Sequence, residues 1–359
     1  MWDCGRAPVG RASSGRRRPL IVGYYGEHNL GDDALLATLL EQLPEAARAG
    51  AVVTAADATA VAALAPVATV PRRSLARVRQ ALTRADALVF GGGSLLQDST
   101  SVRSLLYYAL LIVQARLQGI PVLFWGQGLG PLNHRRSRWL VARLLPLVSA
   151  AAWRDAASAA LARQLGRPPG DAMGADPVWT GASPAWHGRG GPIVLAWRPT
   201  PLLDPSGWQT LLMAVEQLAA DTGREVLWLP FHADQDRALP MQLGSSWRQV
   251  PCPTVAAALD QLAGAGLVLA MRLHALILAI RCGAPAAALA YDPKVTAAAT
   301  AAGCPCTDLK RPHAVEALLQ SWRLLLDQPG PVDTVTALQN QAAVHSQLLE
   351  RWFSPAAAP

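Results

Sequence analysis

Ala270-Met-Arg-Leu-His-Ala-Leu-Ile-Leu-Ala279, with Tyr291-Asp-Pro-Lys294 shortly after it, is the stretch whose reading decides the fold. Ahead of it, Leu267-Val-Leu-Ala270 is a short apolar run leaving a Gly264-Ala-Gly266 turn, the pattern of a buried parallel strand. Behind it, Leu273 to Ile280 holds good helix formers without a breaker and stops at Cys282-Gly283-Ala284-Pro285, a normal helix exit. Arg272 and His274 therefore stand where the carboxyl end of a strand turns into a helix. Open α/β sheets bind ligands along that edge, and free N–H groups at a helix start favour an anion. A second run, Ala286 to Ala290, ends directly before Tyr291 and brings Lys294 to the neighbouring strand end. A single Arg or His at such a place is commonly a cap or an ion-pair residue. Arginine, histidine and lysine converging on one crevice edge point to a small, multiply charged anionic substrate. A membrane span is excluded here, because Arg272 and His274 interrupt the apolar stretch from Leu262 to Ile280 at its middle.

The same rhythm runs through the first half. Leu20-Ile-Val-Gly-Tyr-Tyr25 predicts a strand, Gly26 to Asp33 a glycine-containing loop, and Ala34 to Leu43 a helix. The spacing is neither G-x-G-x-x-G nor a Walker loop. Asp32 and Asp33 suit a helix start, where carboxylates favour the dipole and cap free N–H groups, and they would repel a phosphate placed there. This loop, with Asn29, therefore fits sugar hydroxyls or a general base. Ala87-Leu-Val-Phe90 predicts a strand ending at Gly91-Gly-Gly93-Ser-Leu-Leu-Gln97-Asp98, where glycines allow close backbone approach to a ligand. Pro121 to Trp125 is the next strand and ends at Gly126-Gln127-Gly128-Leu-Gly130-Pro131, a third glycine-rich strand end on the same edge. Arg154-Asp155 and Arg198 close two further strands.

These alternations predict an α/β protein of two doubly wound, Rossmann-like domains facing a cleft. The expected boundaries are a disordered basic extension over 1–19, a first Rossmann-like domain over 20–178, a linker over 179–192, a second Rossmann-like domain over 193–330, and a C-terminal helix with tail over 331–359. The helix, Val335 to Trp352, is amphipathic and expected to pack back across the first domain.

A net charge of +7 looks like a nucleic-acid signal, but Arg6, Arg11, Arg16, Arg17 and Arg18 against Asp3 place much of it in the first eighteen residues. The remaining +3 does not make a basic groove, so no nucleic-acid partner is expected. The tail allows a weak peripheral attraction to anionic membrane surfaces and lacks the apolar core of a secretory signal. Five cysteines without a second pair or a nearby His cluster predict neither zinc nor disulfides, and a cytoplasmic protein.

Taken together, Gly23-Tyr-Tyr-Gly26, Asn29-Leu-Gly-Asp32, Gly91 to Asp98, Gly126 to Pro131, Arg154-Asp155, Arg272-Leu-His274 and Tyr291 to Lys294 resemble, in this order, the polysaccharide pyruvyl transferases of bacterial and cyanobacterial cell surfaces. The resemblance implies a fold like the two-domain GT-B glycosyltransferases. It also implies transfer of a pyruvyl group from phosphoenolpyruvate to a sugar as a cyclic ketal, with release of phosphate. Nothing in the sequence supports a metal or cofactor, and none is expected. The resemblance links Arg272, His274 and Lys294 to activity, and Arg154 less directly. Glu27-His28 stand where smaller residues are expected, and Asp33 where Glu is common.

Such a reaction needs cations for a carboxylate and a phosphate, an acid for the methylene carbon, and a base for the hydroxyls. Arg272, Lys294, Arg154 and Arg198 are the expected donor ligands, a guanidinium suiting either anion. His274 is the expected general acid, and Asp32 or Asp33 the catalytic carboxylates, with Asp98 a third candidate to orient or deprotonate the acceptor. Asn29, Gly91, Gly92, Gly93, Gln97, Asp98 and Gln127 line the expected acceptor side, taking a polysaccharide or a lipid-linked saccharide. Two alternatives stay open. A nucleotide-sugar glycosyltransferase of this fold often holds the donor ribose with a carboxylate on the helix after Arg272, and Ala275 to Arg281 contains none. A non-catalytic polysaccharide-binding protein would need exposed aromatic platforms, and Trp186, Trp197, Trp208 and Trp228 mostly fall at core positions.

Overall fold

A computed structural model describes residues 18–99 and 101–354; the basic extension expected at the N terminus, up to residue 17, and the tail after residue 354 lie outside the described residues. Apolar runs too short for helices become parallel strands, because a strand covered on both faces needs no polar alternation. The first sheet comprises β1 (Pro19–Tyr25), β2 (Val52–Ala55), β3 (Ala68–Pro71), β4 (Ala87–Leu96), β5 (Val122–Leu129), β6 (Ala150–Trp153) and β7 (Ala172–Met173), in spatial order β3-β2-β1-β4-β5-β6-β7. The second comprises β8 (Ile193–Ala196), β9 (Val226–Trp228), β10 (Arg248–Gln249), β11 (Leu267–Ala270), β12 (Ala286–Ala290) and β13 (Cys306–Asp308), in the order β10-β9-β8-β11-β12-β13. All pairings within these sheets are parallel. Strand order reverses between β1 and β4 and again between β8 and β11, so each domain has its crevice outside those carboxyl ends.

Helices cover both faces. Leu75–Leu82, Val102–Leu117 and Arg135–Leu144 bury one side of the first sheet over Phe90, Phe124 and Trp153. The other side shares one continuous apolar cluster with the second domain. Leu35 and Leu39 of helix Leu30–Gln42, Trp179, Leu276 and Ile280 of helix Leu273–Cys282, and Leu349 all belong to it. The far face of the second sheet buries Trp197, Trp228 and Trp322. Trp197, Trp208, Trp228 and Trp247 pack ring against ring there, with centroid separations of 6.1 to 6.4 Å. Such packing leaves them unsuited to act as sugar platforms.

The chain returns to the first sheet through helices Val332–Ala342 and Val344–Phe353, two elements where one was expected. His345 anchors the return. It is wholly buried, its Nε2 lies 2.8 Å from the Ala175 carbonyl oxygen, and its ring centroid is 6.0 Å from that of Trp125.

Two expected boundaries shift. The first helix starts at Leu30 rather than Ala34, because Asn29 supplies the cap. The glycine segments are not loops beyond β4 and β5 but parts of the strands, with Gly91 opposite Trp125 and Gly93 opposite Gln127 before the register slips. A ladder needs backbone only, so glycine pairs as well as any residue. What glycine adds is the positive φ of Gly92 and Gly93, +74° and +76°, which bends β4 toward the crevice side chains.

Candidate active site

The first domain contributes the start of helix Leu30–Gln42. Asn29 Oδ1 accepts from the Gly31 N–H at 3.2 Å, and Asn29 Nδ2 donates to the Asp32 carboxylate. The cap is thus Asn29 and not the aspartate pair, which leaves both carboxylates available to the crevice. Gly93 faces them, and a Cβ on Gly93 would sit 3.8 Å from Asp32 Oδ1. Burial raises the Asp32 carboxyl above its ordinary range, with His274, the Asn29 hydrogen bond, Arg154 and Lys294 opposing it. Burial and then the Asp32 charge push Asp33 up to about 7, His28 offsetting a part. Two adjacent carboxyls withdrawn from water cannot both ionise easily.

From the second domain, β11 turns into helix Leu273–Cys282 and projects His274 across the cleft against Gly31. A Cβ at position 31 would lie 2.3 Å from His274 Nδ1, so only glycine admits the imidazole here. Its Nε2 faces Asp176 Oδ2 at 3.7 Å, an ion-pair distance too long for a hydrogen bond, and is buried with no hydrogen-bond partner among the described residues. Asp176 is buried and caps the turn Pro177–Thr180 by accepting from Val178 N–H at 3.1 Å. Burial alone would raise its carboxyl, but His274, Arg154 and the Val178 N–H outweigh that and bring it to about 2. Arg154 completes the cluster, with Nη1 3.4 Å from Asp176 and Nη2 donating to Ser94 Oγ at 3.0 Å. Gly128 leaves it room, since a Cβ there would meet Arg154 Nη2 at 2.8 Å.

The two domains also touch through backbone at this point. Leu30 N–H donates to the Phe231 carbonyl at 2.9 Å, Ala233 N–H donates to the His28 carbonyl at 3.0 Å, and Asn29 and His232 form an isolated antiparallel bridge. The Phe231 loop is held from below by Asp236, wholly buried, which accepts from Phe231 N–H at 3.1 Å and His232 N–H at 2.8 Å.

The structure gathers Asp32, Asp33, His274 and Arg154 around one cleft floor, leaves Lys294 at the rim, and treats the other expected residues differently. Arg272 is committed to Asp236 through Nε at 3.0 Å and through Nη2, which also donates to Gln235 Oε1 at 3.0 Å. A buried carboxylate already neutralises this cation, so its first role is to hold the Phe231 loop. Lys294 is part-exposed with Nζ 3.5 Å from Asp292. Arg198 leaves β8 and reaches across to Tyr291, donating from Nη1 at 3.0 Å with its guanidinium 4.7 Å from the ring centroid.

On the acceptor side, Gln127 is buried and donates from Nε2 to the Gly92 carbonyl at 2.8 Å, which ties β5 to β4 instead of facing a sugar. Gly91 accepts from the buried Tyr25 hydroxyl. Asp98 is consumed by the turn after β5, accepting from Asn133 N–H at 2.7 Å and His134 N–H at 2.9 Å. Those bonds outweigh its burial and hold its carboxyl below the ordinary range, which removes it as a base. Gln97 Oε1 accepts from Ser99 N–H at 2.9 Å. Asp176, Asp236 and Ser94 were missed by the sequence reading. Asp176 had a signal, since Asp176-Pro177 after a short strand repeats the form of Asp292-Pro293.

A carboxylate that stays ionised beside an imidazole, two carboxyls pushed toward neutrality, and cations at the rim suit proton transfer on an anionic substrate. Solved structures share the architecture at low identity. UDP-GlcNAc 2-epimerase from Neisseria meningitidis bound to UDP-GlcNAc is 13% identical with a TM-score of 0.61 over 93% of this chain and 100% of that one. The UDP-GlcNAc 2-epimerase from Methanocaldococcus jannaschii is 10% identical, TM-score 0.60, over 93% and 99%. A UDP-glucosyltransferase from Polygonum tinctorium is 12% identical, TM-score 0.57, over 94% and 98%. These likenesses establish the fold class, a GT-B-like pair of Rossmann-like domains. No curated protein matches the sequence. The family model described as polysaccharide pyruvyl transferase matches residues 29–293, and the chain belongs to that family.

Proposed function

We propose that the protein transfers the pyruvyl group of phosphoenolpyruvate to two hydroxyls of a sugar in a cell-surface polysaccharide or its precursor. The observation that carries this reading is His274, backed by Asp176, packed across the cleft against Gly31 and close enough to the adjoining Asp32 carboxyl to offset the effect of its burial. His274 delivers a proton to the methylene carbon, which becomes a methyl group and leaves an oxocarbenium-like carbon beside it. A sugar hydroxyl adds to that carbon and passes its proton to the Asp32–Asp33 pair. The C–O bond to phosphate then breaks as the carboxyl pair passes its proton to the leaving oxygen, inorganic phosphate departs, and the second hydroxyl adds to close the ketal, its proton restoring His274. Lys294 and Arg198 at the rim fit the donor's carboxylate and phosphate, with Arg154 beneath them. Arg272 serves this reading chiefly by fixing the Phe231 loop.

Thermal melting in the presence of phosphoenolpyruvate, beside a panel of nucleotide sugars, tests it, because a ligand selective for the folded state raises the melting temperature. Phosphoenolpyruvate is expected to stabilise the wild-type chain and not Lys294→Ala. Stabilisation by a nucleotide sugar alone would replace pyruvyl transfer with glycosyl transfer on the same fold.

A further inference from the structure

Helix Val102–Leu117 buries Leu105, Tyr108, Leu111, Ile112 and Ala115 against the first sheet, which accounts for one face. Its opposite face should be polar. Instead Val102, Leu106, Leu110, Val113 and Leu117 recur at helical spacing and are 38% to 83% exposed. The neighbouring helix Arg135–Leu144 adds Trp139, 60% exposed. Isolated exposed apolar residues need no explanation, whereas a continuous stripe with a tryptophan beside it marks an interaction surface.

The charge around the stripe selects its partner. Between residues 99 and 153 there is no Asp or Glu, while Arg103, Arg116, Arg135, Arg136, Arg138 and Arg143 are all present and all exposed. The Arg143 guanidinium lies 5.1 Å from the Trp139 ring centroid, an arrangement that keeps the cation at the level of the indole. We infer that this face docks on an anionic membrane surface, with the leucines and Trp139 entering the headgroup region and the arginines meeting lipid phosphates. Amphipathic helices lie in the interface in this way, and tryptophan concentrates at that depth. A second copy of the chain is the poorer occupant, because a two-fold contact through this patch would set the arginines against their own copies. The stripe also has a direction. The helix begins shortly after the carboxyl end of β4, so its Val102 end lies on the side of the sheet that carries the crevice. The docking stands independently of which group the cleft transfers.

Sedimentation of the full chain with vesicles tests the inference, comparing phosphatidylcholine alone with an equimolar mixture of phosphatidylcholine and phosphatidylglycerol. Wild type is expected to sediment with the anionic vesicles. Leu106→Gln/Leu110→Gln should lower the partition coefficient at least about tenfold. Arg138→Ser/Arg143→Ser should weaken binding to the mixed vesicles, while Arg11→Ser/Arg16→Ser/Arg17→Ser in the N-terminal extension leaves it nearly unchanged. The substituted leucines are solvent-facing, so unaltered melting temperatures verify the fold. Wild type remaining in the supernatant would overturn the inference. So would undiminished binding of the leucine variant, or loss of binding in the N-terminal variant alone. A stable dimer in sedimentation velocity that the leucine variant converts to monomer would assign the stripe to a second copy.

Discussion

Replacing Asp33 by asparagine is expected to make the protein more stable above neutral pH while it loses turnover. In the folded chain Asp33 is pushed from 3.8 to about 7, first by burial and then by Asp32. A carboxyl whose folded value is raised favours the native state only while protonated, so stability falls as pH climbs from the unfolded value through the folded one. A shift of about three units is worth about 4 kcal/mol at most, and roughly half that after discounting for partial solvent access. Asparagine cannot ionise and has nearly the same shape, so Asp33→Asn escapes this cost. Its melting temperature should match wild type near pH 4. The gap should widen between pH 4 and 7 and level off above, at about 4–8 °C for a gain of about 2 kcal/mol. Melting by circular dichroism at a series of pH values reads this directly. Turnover should fall in parallel, since asparagine cannot take the hydroxyl proton. A melting difference that does not depend on pH, or a variant less stable than wild type at pH 8, would refute the electrostatic account.

Two further substitutions separate site geometry from fold. Gly31→Ala should leave stability within about 1 kcal/mol, because alanine favours the helix by about that amount, while the new methyl, 2.3 Å from where His274 Nδ1 now lies, displaces the imidazole. Turnover should drop by at least about tenfold with little change in melting, and full turnover would show that His274 need not sit there. Arg272→Ala should cost about 3–5 kcal/mol in urea unfolding, because it strands the wholly buried Asp236. Arg272→Lys should recover only part of this, since an ammonium cannot reproduce the two-point contact.

The strands were legible because β1, β8, β11 and β12 are covered on both faces and read as uninterrupted apolar runs. Which residues end those strands follows at once, so His274 and Lys294 could be placed at the carboxyl edge of one sheet, and Asp32 and Asp33 at that of the other, before any coordinates. Their partners could not. Asp176 meets His274 from 98 positions away, and Asp236 meets Arg272 from 36 away, in the short helix Ala233–Asp236 after β9. No local pattern encodes either distance. The glycine segments misled for a different reason. Glycine signals freedom from a side chain, which serves a loop and a close-packed strand equally, and here Tyr25 and Gln127 use the buried carbonyls of Gly91 and Gly92. Gln127 and Asp98 therefore build the crevice wall rather than face into it.

Why an arginine should sit two residues from the histidine then has a structural answer. The imidazole and the Gly31–Asp32 helix start belong to different domains, so their close approach exists only while the domains are docked. Docking at this point runs through the Leu30–Phe231 and Ala233–His28 backbone hydrogen bonds, whose loop is shaped by Asp236. Arg272 grips Asp236 from the turn that also launches His274. One turn of chain thus sets both the loop that closes the cleft and the imidazole that reaches through it. A separation that breaks the Leu30–Phe231 bond also withdraws His274 from Gly31. In the proposed reaction, proton transfer is thereby tied to the closed arrangement, which would keep water from an oxocarbenium-like centre.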